Sequence, residues 1–351
     1  MKKKDAVLKL WRECFDDSDQ YVDMFFSEVY RDDDALLLEQ DNRPISSMLL
    51  QRYAMNFHGV TVSVSYVCGA ATTRKSRDQG CMSTLMREAL RCSYDRGDML
   101  CTLIPANDWL YHYYGHFCFS PVFYVDIERY TSAHTFRHEG VYTLYEALDT
   151  PEAYSFFREM MERRKCTIQH TEEQYHQILM DNSADAGIVT AIADCAGHPV
   201  AIAFAVPVDG EAVVKDVLSI DEDARSAVLE EVHKEFADMP VTVYGYYKSA
   251  DGELRQRGMA RIVNASQCLS IIAQAYPKMK LALRLTDPVI TENNGIFLLS
   301  EGECRKADNH EGKLDYDIDI EVLTSIVFGN DVTRHILDFP AVRPFISLML
   351  D

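Results

Sequence analysis

Along the first hundred residues the apolar positions keep a helical period, then an alternating one, then a helical one again. Val7, Leu10, Trp11, Cys14 and Phe15 recur at helical spacing. The cluster Asp16-Asp17-Ser18-Asp19 ends that helix and caps the next, which carries Tyr21, Met24, Phe25 and Val29. Residues 35–40 and 45–55 read as strands separated by the turn Asp41-Asn42-Arg43-Pro44. From Val60, Val62, Val64 and Tyr66 alternate with Thr61, Ser63 and Ser65, which predicts a strand with one buried face. Leu85, Met86, Ala89 and Leu90 then form a helical stripe that Gly97 is placed to stop. Residues 99–104 are a short apolar run suited to a buried strand.

The same order of elements returns further along the chain. Helices are predicted over 152–164 and 172–179, strands over 188–193, 200–206 and 212–220, a helix over 224–236 and a last strand over 241–247. A third piece opens with a strand at 259–264 leading into a helix through Ile272. Alternating runs follow at 281–285, 296–299 and 316–320, then a helix over 321–328. The pattern predicts an α/β (α+β) chain of mixed sheets in three parts, 1–132, 133–250 and 251–351. A chain of 351 residues is too long for one simple core.

Composition narrows the functions. A formal charge of −20 disfavours nucleic acid and anionic membrane surfaces as partners. The ten cysteines are scattered, lie mostly in apolar runs and form no Cys-x-x-Cys pair; they read as reduced cysteines of a cytoplasmic protein, with no metal site. Met1-Lys2-Lys3-Lys4 is followed by Asp5, Lys9, Arg12 and Glu13, which leaves no apolar leader, and no run reaches membrane-spanning length.

The chemistry concentrates between the alternating strand and the helix after it. Val67-Cys68-Gly69-Ala70-Ala71-Thr72-Thr73 passes into Arg74-Lys75-Ser76-Arg77-Asp78-Gln79-Gly80, then Cys81, Met82 and Ser83. A polar loop entering a helix offers unpaired backbone N–H groups where the helix dipole favours negative charge. Gly80 permits close approach, and Arg74, Lys75 and Arg77 add positive charge. This arrangement suits a pyrophosphate.

The run Arg77-x-x-Gly80-x-Met82, after a strand and before a helix, resembles the acyl-CoA loop of the GNAT N-acetyltransferases. Met82, where that family commonly has Gly or Ala, is similar to the variant in the Eis-type (enhanced intracellular survival) members. The alternating and helical runs after Asp251 resemble the sterol-carrier-like domain those proteins carry at their C-terminus. The resemblance implies acetyl-CoA as co-substrate, held by residues 71–83 and Asn107, with backbone groups near Ala71, Thr72 and Thr73 stabilising the oxyanion. It also implies direct transfer to a primary amine: an aminoglycoside, a polyamine, a lysine side chain or another small molecule. The family's assembly into closed rings implies a homo-oligomer. In the second part Ser219-Ile220-Asp221-Glu222-Asp223 stands where the loop would be; three acids repel a pyrophosphate, so this copy reads as non-catalytic.

A second signature, Tyr-x-x-x-Gly followed by an aromatic, is matched by Tyr111 and Gly115, with His116 at the aromatic position and Phe117 one later. Tyr111 is the family-matched general acid, and Tyr113 or Tyr114 fills that role in another register. The family places its C-terminal carboxylate as the base. Here the tail Phe345-Ile346-Ser347-Leu348-Met349-Leu350 is apolar up to Asp351 and should pack inward, which makes the Asp351 carboxylate the candidate. Two rival readings are a CoA-binding regulatory protein without turnover and a lipid-binding protein acting through the third part.

Overall fold

The computed structural model describes residues 2–246, 254–329, 339–340 and 342–350. In chain order the first part holds α1 (Lys3–Cys14), α2 (Asp19–Met24), β1 (Ala35–Gln40), β2 (Arg43–Phe57), β3 (Val60–Thr72), α3 (Cys81–Asp95), β4 (Leu100–Leu103), α4 (Asp108–Gly115) and β5 (Ser120–Tyr130). The second holds β6 (Thr143–Leu144), α5 (Pro151–Arg163), β7 (Ile168–Gln169), α6 (Glu172–Ala184), β8 (Ile188–Ala193), β9 (Pro199–Val208), β10 (Glu211–Ser219), α7 (Glu222–Glu235) and β11 (Val241–Gly245). The third holds β12 (Leu254–Ile262), α8 (Ala265–Ala275), β13 (Leu281–Thr286), β14 (Gly295–Ser300), β15 (Glu303–Ala307), β16 (Tyr316–Asp319) and α9 (Ile320–Val327).

Helix α1 forms because Ala6, Val7, Leu10 and Trp11 bury one stripe. The acidic cluster that follows is structural: Ser18 caps α2 by accepting from the Tyr21 amide, Asp17 accepts from Trp11 Nε1 at 2.7 Å, and Asp19 pairs with Arg12. The aromatic run after β4 folds as α4, and β5 follows it with Val125 and Ile127 buried between half-buried Tyr124, Asp126 and Glu128. Neither α4 nor β5 was expected from the pattern.

The strands form two sheets among the described residues. The larger runs β1-β2-β3-β4-β12-β5-β11-β10-β9-β8-β6, with β7 on β2; the smaller runs β15-β14-β13-β16. One feature departs from the expected division at 250/251. Strand β12, which opens the third part, lies between β4 and β5 of the first, antiparallel to both. Sequence periodicity assigns a strand but not its neighbours. The insertion is fixed by a fully buried ion pair, Arg261 Nη2 to Asp287 Oδ1 at 2.5 Å, which ties the end of β13 to the large sheet. Helix α9 adds the Thr324 hydroxyl, which accepts from the Ile262 amide at 3.2 Å.

The second part repeats the first: β9 and β10 pair antiparallel, and β10 and β11 pair parallel around α7, as β2, β3 and β4 do around α3. Its helix start is closed by the chain's own carboxylates. Asp221 accepts from the Ala224 amide at 2.8 Å, and Asp223 accepts from the amides of Glu139 and Gly140 and from the Tyr142 hydroxyl.

The tail packs inward, as its apolar run requires. Phe345 bridges Thr167 in parallel, with its amide on Cys166 O at 3.0 Å and its carbonyl accepting from the Ile168 amide at 3.2 Å. Leu348, Met349 and Leu350 are buried; Asp351 lies outside the described residues. Because the Ser347 carbonyl can only accept, the His170 Nε2 that meets it at 3.1 Å carries the proton. The buried Nδ1 has no partner among the described residues, and burial lowers the His170 pKa from 6.5 to about 4.

The unfolded chain therefore takes a proton on this ring below pH ~6.5 that the folded chain refuses until about 4. Its contribution to stability is complete above pH 6.5 and is lost as pH falls toward 4. Urea titrations at pH 7 and pH 5 are expected to show a smaller pH-dependent loss for His170→Gln than for the parent chain, by ~1–2 kcal/mol. Equal losses would contradict the assignment of a neutral buried ring.

Candidate active site

Strand β3 is bent where it leaves the core. Ser47 faces Ala71 and Leu49 faces Cys68, so Gly69 and Ala70 together oppose Met48 in a bulge. Gly69 has φ +57°, and a Cβ there would sit 2.4 Å from Trp11 Cζ3. The indole of α1 thus lies directly on the bulged backbone, a place only glycine can fill.

Strands β3 and β4 pair in parallel from Val64 against Leu100 to Val67 against Leu103. Beyond that step β3 continues to Thr72 while β4 has ended, and among the described residues no strand pairs with Cys68–Thr72 on that edge. Parting parallel strands leave a slot lined by unpaired main chain. The Thr73 amide donates to Ile45 O at 2.9 Å and is taken up by the β2 ladder, which removes it from the expected oxyanion donors. Thr72 faces the open edge by antiparallel alternation. Its carbonyl accepts from Arg77 Nε and Cys14 Sγ, each at 3.3 Å.

The loop then makes a short 3₁₀ turn at Arg74–Ser76 and reaches Gly80 at φ +77° and ψ 6°, the residue that starts α3. Gly80 O accepts from the amide and the hydroxyl of Thr84 at 3.0 and 3.2 Å. Residues 77–80 form a turn, and among the described residues the backbone amides from Asp78 to Ser83 make no well-formed hydrogen bond. The Arg74 amide is different: it donates to Glu13 Oε1 at 3.2 Å, so this member of the expected cradle is occupied. The side chains of Arg74, Lys75 and Arg77 are exposed, and none forms an ion pair among the described residues. The first turn of α3 holds no acid, where α7 holds Glu222 and Asp223. Unpartnered amides, an aligned helix dipole and free cations at one point fit a diphosphate.

Helix α4 sets the register of the tyrosine signature. The amide of Cys118 donates to Gly115 O at 2.9 Å, and that of Phe119 to Tyr114 O at 3.3 Å. Cys118 has φ +61°, while Gly115 lies within the helix. These two bonds around a left-handed residue are the Schellman turn, whose C′ position glycine usually occupies. Cys118 therefore stands where the signature's glycine belongs, Phe119 is the aromatic after it, and the tyrosine four residues before is Tyr114. This corrects the match of Tyr111 to Gly115. The sequence hid it because a cysteine fills the left-handed position while a glycine lies three residues earlier.

Tyr114 is buried, its ring 6.0 Å from that of Phe119, and burial pushes its hydroxyl pKa well up, with Tyr113 and Cys101 adding to the rise. Tyr111 is half-buried; burial raises its pKa, opposed by Arg257 and Arg255 of β12. The Tyr113 hydroxyl is buried without a partner among the described residues. Asn107 is exposed at the start of α4 and makes no side-chain cap.

Strand β12 and the tail complete the walls. At Gly258 a Cβ would meet Leu103 O at 2.9 Å and Ile346 Cγ2 at 3.4 Å. The tail thus crosses beside the last paired residue of β4, where the slot opens. Cys68 is buried and Cys81 is half-buried at the start of α3. Among the described residues no helix is long and apolar enough to cross a membrane.

Comparison with known proteins agrees with this geometry. Residues 1–122 match the model of an acetyltransferase (GNAT) domain, and residues 267–335 that of a sterol carrier protein domain. No curated protein matches the chain. Among solved structures, a conserved protein of unknown function from Enterococcus faecalis, described as a probable N-acyltransferase, superposes with a TM-score of 0.78 at 13% identity over 99% of this chain and 97% of its own. A GCN5-related N-acetyltransferase from Anabaena variabilis does so with 0.74 at 13% identity, over 98% and 96%. Eis1 from Mycobacterium abscessus gives 0.72 at 13% identity, over 99% and 97%. The chain thus carries an acetyltransferase (GNAT) domain at residues 1–122 and a sterol carrier protein domain at residues 267–335, in a fold shared over nearly its whole length with these solved structures.

Proposed function

We propose that this protein binds acetyl-CoA in the slot between β3 and β4 and transfers the acetyl group directly to a primary amine. The observation that carries the reading is the row of amides from Asp78 to Ser83, none in a well-formed hydrogen bond, at the acid-free start of α3. Those amides hold the diphosphate, with Arg74, Lys75 and Arg77 adding charge from the rim. The pantetheine arm lies along the open edge of Cys68–Thr72, where main-chain groups pair with its amides.

The reaction needs an oxyanion donor, a proton for the leaving thiolate and an acceptor for the proton of the attacking amine. Thr72, on the open edge of β3, supplies the main-chain donor. Tyr114 supplies the thiolate's proton: a phenol ordinarily near pKa ~10, raised further by burial, stays protonated at neutral pH. The carboxylate of Asp351 takes the proton of the amine, and the buried run Leu348–Leu350 leads to it. No protein nucleophile is required. Aminoglycosides, polyamines and lysine side chains are the acceptor classes to screen.

Two substitutions test the assignment. Gly80→Glu puts a carboxylate among the free amides, and calorimetric titration is expected to show a loss of CoA affinity of ~100-fold or more. A Cβ at Gly80 meets nothing within 4 Å, so the fold should survive with only the local strain of a positive φ; unchanged CoA affinity would remove the loop assignment. Tyr114→Phe should lower kcat by ~10–1,000-fold with CoA affinity unchanged, while Tyr111→Phe stays within ~3-fold of the parent. The reverse pattern would restore the register set on Gly115.

A further inference from the structure

The second part has lost the means to hold a diphosphate, yet it keeps a buried charge that faces away from its own sheet. Strand β10 carries a bulge: Val214 faces Ala205 and Asp216 faces Phe204, so Lys215 is the extra residue. A bulge re-aims the side chains that follow it. Lys215 reaches Asp181 and Asp185, and Asp216 turns into the interior, where none of its surface is exposed.

There Arg164 grips Asp216 with both terminal nitrogens, Nη1 to Oδ2 and Nη2 to Oδ1, each at 2.7 Å. The remaining position on Oδ2 is taken by the hydroxyl of Ser347, also at 2.7 Å. The same serine's carbonyl accepts from His170 Nε2. The ring of Phe345 lies 4.9 Å from the Arg164 guanidinium, and its backbone is bonded on both sides to Cys166 and Ile168. A buried ion pair contributes little net stability, because desolvation offsets the attraction; its use is to fix one arrangement over others.

We propose that Arg164, Asp216 and His170 are positioning residues for the acetyl transfer, a latch in the second part that fixes the tail from Phe345 to Leu350 beside the slot. This rests on the reading of the slot as an acyltransferase site. The tail's path supports it. Phe345 pairs parallel to Thr167, the strand after Thr167 is antiparallel to β2, and β2 is antiparallel to β3. The tail therefore runs in the sense of β3, toward the end where β3 and β4 part, and Ile346 reaches Gly258 beside Leu103. The second part thus serves the first by holding the segment that bears the proton acceptor.

Amide hydrogen exchange and steady-state kinetics on the full chain test this, using Asp216→Asn, Ser347→Ala and, as a control on the same strand that does not touch the tail, Lys215→Ala. Asp216→Asn and Ser347→Ala are expected to speed exchange of residues 345–350 by ~10-fold or more and to lower kcat, with the KM for acetyl-CoA within ~2-fold and the low-pH limb of the kcat profile shifted. Ser347→Thr, which keeps the hydroxyl, should restore both, and Lys215→Ala should change neither. Unchanged exchange in the two variants would show that no latch exists. Faster exchange with kcat and pH profile intact would deny it a positioning role. A parent chain that acetylates no amine would overturn the acyltransferase reading, and the positioning role with it, whatever exchange shows of the latch.

Discussion

The structure depends on two parallel strands that begin as partners and then part. While Val64–Val67 stay bonded to Leu100–Leu103 the sheet is continuous; beyond it β4 gives way to a loop, and at Gly69 β3 bulges over Trp11. Unpaired main chain inside a protein is costly unless something else satisfies it. Under the proposed reading, a ligand with amides of its own satisfies this edge, and its diphosphate meets the acid-free start of α3, one loop away.

The two halves of the large sheet differ at the start of their helices. Both place a helix after the third strand of a meander and before a parallel fourth. In the first, Gly80 starts the helix, offers no side chain and leaves the amides open. In the second, Asp221 takes the Ala224 amide at the helix start, and Asp223 ties down the segment at Glu139 and Gly140.

Much of this was legible in the sequence. The periods of β2, β3, α3 and α7 lay close to their observed limits, and the glycine loop with its basic flank stands, as expected, between β3 and α3. Three things were not. The insertion of β12 depends on a long-range pairing and on the buried Arg261–Asp287 contact, neither of which leaves a periodic trace. The tyrosine register depended on backbone handedness at Cys118, where the residue type argues against the conformation it adopts. Strand β5 did leave a signal, the alternation Phe123, Val125, Ile127 against Tyr124, Asp126, Glu128, but it directly follows the aromatic helix and its start is obscured by Pro121.

The central claim is that the amides around residue 80 gather a diphosphate, and a pair of calorimetric titrations tests it most directly: CoA against pantetheine, which has the same thiol arm without the diphosphate. The account predicts saturable binding of CoA and an affinity for pantetheine weaker by ~100-fold or more. Equal affinities, or no binding of CoA at all, would contradict it.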